Sequence, residues 1–367
     1  MKAYTLTAVG QLEYTDVPMP DLPDGWALLQ VEAAGICGSD IPRIFKTGTY
    51  HFPTIPGHEF AGRVVDVADK KDQSWIGKRT GVFPLIPCMK CNSCIRKQYE
   101  MCHSYDYLGS RRDGGFAEFA AVPVWNLIEL PETIRIQEAA VLEPASVALH
   151  AVRRLILSES GCCTAALFGL GTIGIMIAQW LHIFGLHNLY AVSHDAGHGA
   201  LMKKIASKDF ESVNIDKTQN PAIQKKQEDD AVSWILDQTK GEGAAIAIDC
   251  IGTSASLEHC LNCVMPGGQV LIVGNPPDNI SLSKEIYWKI LRKQIRITGT
   301  WNSSFFHSTD DDWHKVIEMC RNGEFCISGL ITHQLPFDSL HLGLNIARSH
   351  EEYSNKIMIC SESAFTS

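Results

Sequence analysis

The chain has 367 residues, 45% of them hydrophobic and 20% charged, with 41 acidic against 32 basic side chains and a net charge of −9. That length exceeds what one hydrophobic core usually fills and predicts two domains. The acidic balance leaves no sustained positive field, which argues against wrapping nucleic acid or docking on an anionic membrane surface.

Residues 1–10 lack the basic start, apolar stretch and cleavage site of a secretory signal. They read as a first strand, and the chain is expected in the cytoplasm. Up to about residue 145 the chain is rich in Gly and Pro, with short apolar runs at 27–33 and 62–67 bounded by turn residues. This is the pattern of an irregular all-β domain. It contains Cys37, Ser39 and Asp40 in one short motif, His58 and Glu59 in a second, and Glu143 before Pro144. Cys37, His58 and a carboxylate form a mixed shell with room for an exchangeable ligand, as zinc needs to act as a Lewis acid.

Next comes Cys88-x-x-Cys91-x-x-Cys94, followed after seven residues by Cys102. Four thiolates so spaced converge on one tetrahedral ion, and a closed four-sulfur shell marks a structural zinc. An iron–sulfur cluster is the other four-thiolate possibility. The remaining eight cysteines, Cys162, Cys163, Cys250, Cys260, Cys263, Cys320, Cys326 and Cys360, show no ligand spacing and read as small buried hydrophobes.

From Thr164 apolar strands alternate with helical stretches, which implies parallel strands joined by helical crossovers. The nearly uncharged run 162–186 is long enough to span a bilayer, but Gly169, Gly171 and Gly174 interrupt it. With Thr172 and Ile173 they form a G-x-G-x-x-G turn between a strand and a helix, which lets a pyrophosphate approach a helix N-terminus. Residues 216–230 are polar and highly charged and read as a solvated loop and helix start without chemistry. Residues 335–360 mix a helix-like stretch with a strand, so the C-terminal segment is expected to return to the first domain, and the last seven residues look disordered. The predicted division is 1–149, 150–296 and 297–367.

These motifs together resemble the zinc-containing medium-chain dehydrogenases, and among them the polyol dehydrogenases, over nearly the whole length. The resemblance implies a GroES-like, partly open β-barrel catalytic domain with two zinc ions, and a Rossmann domain with a doubly wound parallel sheet that binds NAD or NADP. Carried over by position, Cys37, His58, Glu59 and Glu143 form the catalytic-zinc set. Cys88, Cys91, Cys94 and Cys102 hold the structural zinc. Cys37, His58 and Glu143 are expected to contact the metal, and Glu59 only transiently. The hydroxyl relay falls on Ser39. Many relatives have a relay His three residues further on, where this chain has Pro42, so the proton's exit route is open. NAD-specific members end the second strand of the sheet with an acidic residue, where Ser193 stands here. Asp195 could substitute, whereas Ser193, His194 and Lys203 could tolerate a 2′-phosphate; NAD is expected, with NADP the alternative.

Three segments, residues 37–48, 108–119 and 290–302, resemble the galactitol-phosphate branch of the family, which implies a sugar-alcohol phosphate as substrate. Arg43, Lys46, Arg111 and Arg112 lie in loops that the family folds around its substrate, and guanidinium groups bind phosphate in bidentate fashion. The alternative is that these bases are solvated or paired with Asp106 and Asp113. Arg292 and Lys293 are expected on the Rossmann face or a subunit contact. An unphosphorylated polyol or threonine is the competing substrate, and a nucleotide-binding regulator without turnover the remote reading. Intact Cys37, Ser39, His58 and Glu143 argue against that last one. A homodimer or homotetramer acting on a small molecule, with no nucleic-acid or membrane partner, completes the expectation.

Overall fold

The apolar run at 27–33 belongs to a ten-residue strand, Trp26–Gly35, in which alternate residues Ala27, Leu29, Val31 and Ala33 are buried. It is the spine of a seven-stranded sheet, pairing antiparallel with Glu59–Val67 on one side and Lys356–Cys360 on the other. Phe119–Pro123 also pairs with it. The computed structural model describes residues 1–157, 163–216, 218, 220–349 and 351–365. They divide into two compact units, Met1–Ser146 with Ser304–Ser367, and Val147–Ser303. The first division falls inside helix Leu142–Arg153.

In the first unit, register brings distant residues together. Gly35 stands opposite Glu59 in one neighbour and opposite Met358 in the other. His58 directly precedes Glu59, Cys37 follows Gly35 by two residues, and Lys356 lies two residues before Met358, so all four gather at one end of the sheet. A Cβ on Gly35 would collide with Glu59 Oε2, so a glycine is what lets that carboxylate lie over the strand. The buried ammonium of Lys356 donates to both Glu59 oxygens, at 2.9 and 2.6 Å, and to the Ile36 carbonyl at 3.2 Å.

The C-terminal segment adds strand Ile331–Pro336, helix Leu340–Ser349 and strand Lys356–Cys360, the two strands pairing in parallel. The tail read as disordered is ordered as far as it is described. Glu362–Phe365 makes a short helical turn with Ala364 buried, and the Gln137 side chain donates to the Ala364 carbonyl. Thr366 and Ser367 lie outside the described residues.

The second unit is a parallel sheet of β1 (Thr164–Phe168), β2 (Asn188–Ser193), β3 (Glu211–Asn214), β4 (Ala244–Asp249), β5 (Val264–Ile272) and β6 (Arg296–Gly299). The spatial order is β3-β2-β1-β4-β5-β6. The chain therefore changes direction of winding beside β1, which creates a crevice at the carboxyl ends of the strands. The intervening helices are α1 (Thr172–Ile183), α2 (Ala196–Ile205), α3 (Pro221–Gln238), α4 (Ser254–Cys263) and α5 (Lys284–Arg292).

Residues 216–230 are mostly helix and not loop, because Asn220 caps α3 and Pro221 opens it; Lys217 and Gln219 lie outside the described residues. Lys293 donates to the carbonyls of Leu261, Asn262 and Val264, satisfying the orphan acceptors at the end of α4, and so has a structural task. Cys260, Cys263 and Cys360 are buried as expected, but Cys163, Cys250, Cys320 and Cys326 are only partly covered, and Cys162 lies outside the described residues. No described helix is long and apolar enough to cross a membrane.

Breaking a buried ion pair from one side strands the other charge. Lys356→Met should therefore lower stability to chemical denaturation by roughly 3–5 kcal/mol. The double replacement Glu59→Leu with Lys356→Met should recover much of that loss. A single-variant loss below about 1 kcal/mol, the range of an exposed pair, would show that the fold does not depend on this contact.

Candidate active site

Cys88, Cys91, Cys94 and Cys102 converge in a loop tightened by left-handed residues at Met89 and Lys97 and by the short helix Asn92–Ile95. The sulfurs of Cys91 and Cys94 are 3.5 Å apart, and those of Cys88 and Cys94, and of Cys91 and Cys102, 3.9 Å. Four sulfurs at about 2.3 Å from one zinc would stand about 3.8 Å from one another, so the set fits a tetrahedral ion. Backbone N–H groups of Cys94 and His103 pull the Cys91 thiol down to about 6, while burial pushes Cys94 up to about 12. The amides already favour thiolate at one corner.

The second group is mixed, with His58 and Glu59 buried and Cys37 partly covered. Cys37, His58 and Glu59 offer ligand atoms within 4.8 Å of one another. The carboxylate gathered there is that of Glu59; Glu143 stands outside the triplet, its Oε1 accepting from the Tyr107 hydroxyl at 3.3 Å. Burial, reinforced by Glu59, raises the Glu143 carboxyl to about 7. Burial opposes charge on His58 too, but Asp40 and Cys37 outweigh it and hold the imidazole well above its ordinary value. For Lys356 burial is likewise outweighed, chiefly by Glu59, and its ammonium is held above the usual range. A thiol, an imidazole and carboxylates gathered in this way are the donor set of a zinc with an open position. A divalent cation fits.

Two further residues belong here that sequence reasoning did not assign. Asp40 is fully buried; its Oδ2 accepts from the Cys37 amide at 2.9 Å, and its Oδ1 lies 3.5 Å from His58 Nδ1 and 3.2 Å from an Arg43 nitrogen. It orients both the Cys37 loop and the imidazole, a carboxylate–histidine arrangement common behind metal ligands. Lys356 is the other; the signal was a single lysine opening an otherwise apolar strand. Ser39 donates to Cys37 Sγ at 3.3 Å and is half-buried.

The four bases expected near a substrate phosphate differ in what they already hold. Arg43 is paired with Asp40 and Arg112 with Asp106, while Asp113 accepts from the Ile55 amide and pairs with no base among the described residues. Arg111 lies between the Tyr50 and Tyr105 rings, at 4.3 and 4.5 Å, and donates to the Tyr50 hydroxyl and the Tyr105 carbonyl. Lys46 is exposed with no side-chain partner among the described residues.

In the second unit the glycine turn leaves β1 at Gly169, whose φ of +96° suits glycine, and Gly171 caps α1, whose first residues are Thr172, Ile173 and Gly174. The α1 N-terminus is thus presented at the crevice, where a pyrophosphate would sit. Ser193 ends β2, as read from the sequence. Its hydroxyl exchanges hydrogen bonds with the Asp195 backbone, and Asp195 Oδ1 caps α2 by accepting from the Gly197 amide at 2.7 Å. His194 donates from Nδ1 to the Ile215 carbonyl.

The Alcohol dehydrogenase GroES-like domain family matches residues 23–132, and the Zinc-binding dehydrogenase family residues 172–342. Galactitol 1-phosphate 5-dehydrogenase of Escherichia coli strain K12 is 29% identical over 313 residues, spanning 85% of this chain and 86% of the relative. Erythritol/L-threitol dehydrogenase of Mycolicibacterium smegmatis is 30% identical over 356 residues, spanning 92% and 91%. The crystal structure of galactitol-1-phosphate dehydrogenase from Escherichia coli matches with a TM-score of 0.82 at 27% identity, over 98% of this chain and all of that one. The chain belongs to the zinc-dependent medium-chain dehydrogenases and is an alcohol or polyol dehydrogenase that uses zinc and a nicotinamide dinucleotide.

Proposed function

We propose that this chain oxidises a secondary hydroxyl of a sugar-alcohol phosphate, of the galactitol 1-phosphate kind, to a ketone. NAD is the proposed hydride acceptor, with NADP the alternative. The observation that carries the chemistry is the triplet of Cys37, His58 and Glu59 with the Ser39 hydroxyl against its sulfur. When bound, zinc acidifies an alcohol hydroxyl and the nicotinamide ring takes the hydride. The chain does the rest. Cys37 and His58, with Glu143 or Glu59, hold the metal; Asp40 fixes the imidazole; Lys356 holds the Glu59 carboxylate in place. Ser39 accepts the hydroxyl proton and passes it outward. Its half-exposed position supports direct release to solvent, which removes the need for a second relay group at Pro42. Cys88, Cys91, Cys94 and Cys102 hold the second, structural zinc. Cysteines gathered as a metal shell, and not spaced as a disulfide framework, support a reducing, cytoplasmic setting. Exposed Tyr287, Trp288 and Leu291 on α5 support a homo-oligomer.

The phosphate reading is supported by the galactitol 1-phosphate relative and by Arg43, Lys46, Arg111 and Arg112 within one unit. An unphosphorylated polyol is the second reading, favoured by the pairing of Arg43 and Arg112 and the stacking of Arg111 described above.

Ser39→Ala should reduce turnover severalfold or more with little change in dinucleotide affinity, measured by steady-state rates beside equilibrium binding. Unchanged turnover, with a substrate deuterium isotope effect showing hydride transfer to be rate-limiting, would mean that the proton leaves by another group.

Substrate choice follows from a difference of free energies. One charge-assisted bond to a phosphate oxygen is worth roughly 1.5–3 kcal/mol, so two would favour a phosphorylated polyol over its parent on the order of a hundredfold or more in kcat/KM. A panel of polyols and their phosphates should show this preference, and raised salt should weaken it. Lys46→Gln is the cleanest variant, because Arg43 also touches the carboxylate behind His58. It should lower kcat/KM for the phosphate by about tenfold, the value of one such bond, and leave the parent polyol unchanged. Equal turnover of galactitol or sorbitol and their phosphates by the unaltered protein would transfer the proposal to the unphosphorylated substrate.

A further inference from the structure

Beside the glycine turn, the second unit contains a cavity of about 450 Å³ at the carboxyl ends of its strands. Phe168, Val192, Ile215 and Ile251 give it apolar walls suited to a flat ring, and His194 borders it next to Ser193. The far wall is different. Glu228 and Gln224 reach in from α3, and His259, itself buried, from α4. Gln224 donates to Glu228 Oε1 at 2.7 Å, whereas Glu228 Oε2 is 3.6 Å from His259 Nε2, beyond hydrogen-bond reach. Of the hydroxyls on this wall, Thr253 and Ser256 bond to each other in the cap of α4. An acceptor oxygen facing a ring-shaped slot, beside an imidazole nitrogen, calls for a ring that donates at its edge.

We propose that Glu228 and His259 read the base of the dinucleotide, Glu228 accepting from the exocyclic amino group of adenine and His259 meeting a ring nitrogen on the same edge. This rests on the cofactor reading above and adds a specificity-determining pair, of which Glu228 lies in the stretch that the sequence marked as without chemistry and His259 on α4. With the pyrophosphate at the glycine turn and the ribose at Ser193 and His194, the base enters the cavity with its far edge toward α3 and α4. A hypoxanthine base has a carbonyl in place of the amino group and would set an acceptor against the carboxylate.

The test is equilibrium binding, by calorimetry, of NAD and of nicotinamide hypoxanthine dinucleotide to the full, zinc-loaded chain, with NADP and its hypoxanthine counterpart as a second pair. The adenine form should bind tighter by about tenfold or more, as expected when a desolvated acceptor is left facing another acceptor. Glu228→Gln, whose amide can donate or accept, should bring the two forms to within about threefold, and His259→Phe should weaken the adenine form more than the hypoxanthine form. Equal affinity of the unaltered protein for both forms, with the adenine form bound, would overturn this inference and leave the cofactor reading intact. Failure of every dinucleotide to bind would overturn the cofactor reading and this inference with it.

Discussion

Everything at the catalytic end of the first unit answers one constraint, the buried contact between the Lys356 ammonium and the Glu59 carboxylate. Burying a carboxylate beside a thiol, an aspartate and a second glutamate is costly unless opposite charge is held at contact distance. Lys356 supplies it from the last strand, 297 residues away along the chain. That separation explains why the C-terminal segment must return to the sheet that carries Cys37 and His58. Gly35 serves the same contact from beneath, since a side chain there would displace the carboxylate.

Around this pair the site is layered outward. Asp40 ties the Cys37 loop to the imidazole of His58, and Tyr107 holds Glu143 at the edge of the group. Two carboxylates in different environments, one locked by a lysine and one raised to about 7 by burial, give the pocket a fixed anion and an adaptable one. The four-cysteine loop follows a different physical logic. Its sulfurs are spaced for a closed tetrahedron and served by backbone amides, which suits a metal that holds a loop in shape and takes no part in chemistry.

The sequence made the architecture legible wherever chemistry is written in local spacing. The four cysteines, the glycine turn, the strand ending at Ser193 and the apolar strand at 27–33 could all be placed because each depends on neighbours within a few residues. The mixed metal-ligand triplet could be suspected, but the grouping of Glu59 and not Glu143 with Cys37 and His58 depends on strand register and on Lys356, which no local pattern reports. The basic residues show the same limit: composition marks them as phosphate candidates, whereas Asp40, Asp106 and the tyrosines that engage three of them come from other parts of the fold. Residues 216–230 looked like solvated polymer because α3 exposes most of its length, and only the folded helix shows Gln224 and Glu228 turned toward a cavity.

The donor sets call for two unlike zinc sites, one closed by four thiolates and one built on Cys37, His58 and a carboxylate. X-ray absorption at the zinc edge of fully loaded protein tests it most directly. The expected result is two zinc ions per chain sharing five sulfur neighbours, four from the cysteine loop and one from Cys37, with Zn–S about 2.3 Å and the remaining neighbours nitrogen or oxygen. A single zinc per chain, or a shell of sulfur alone, would contradict it.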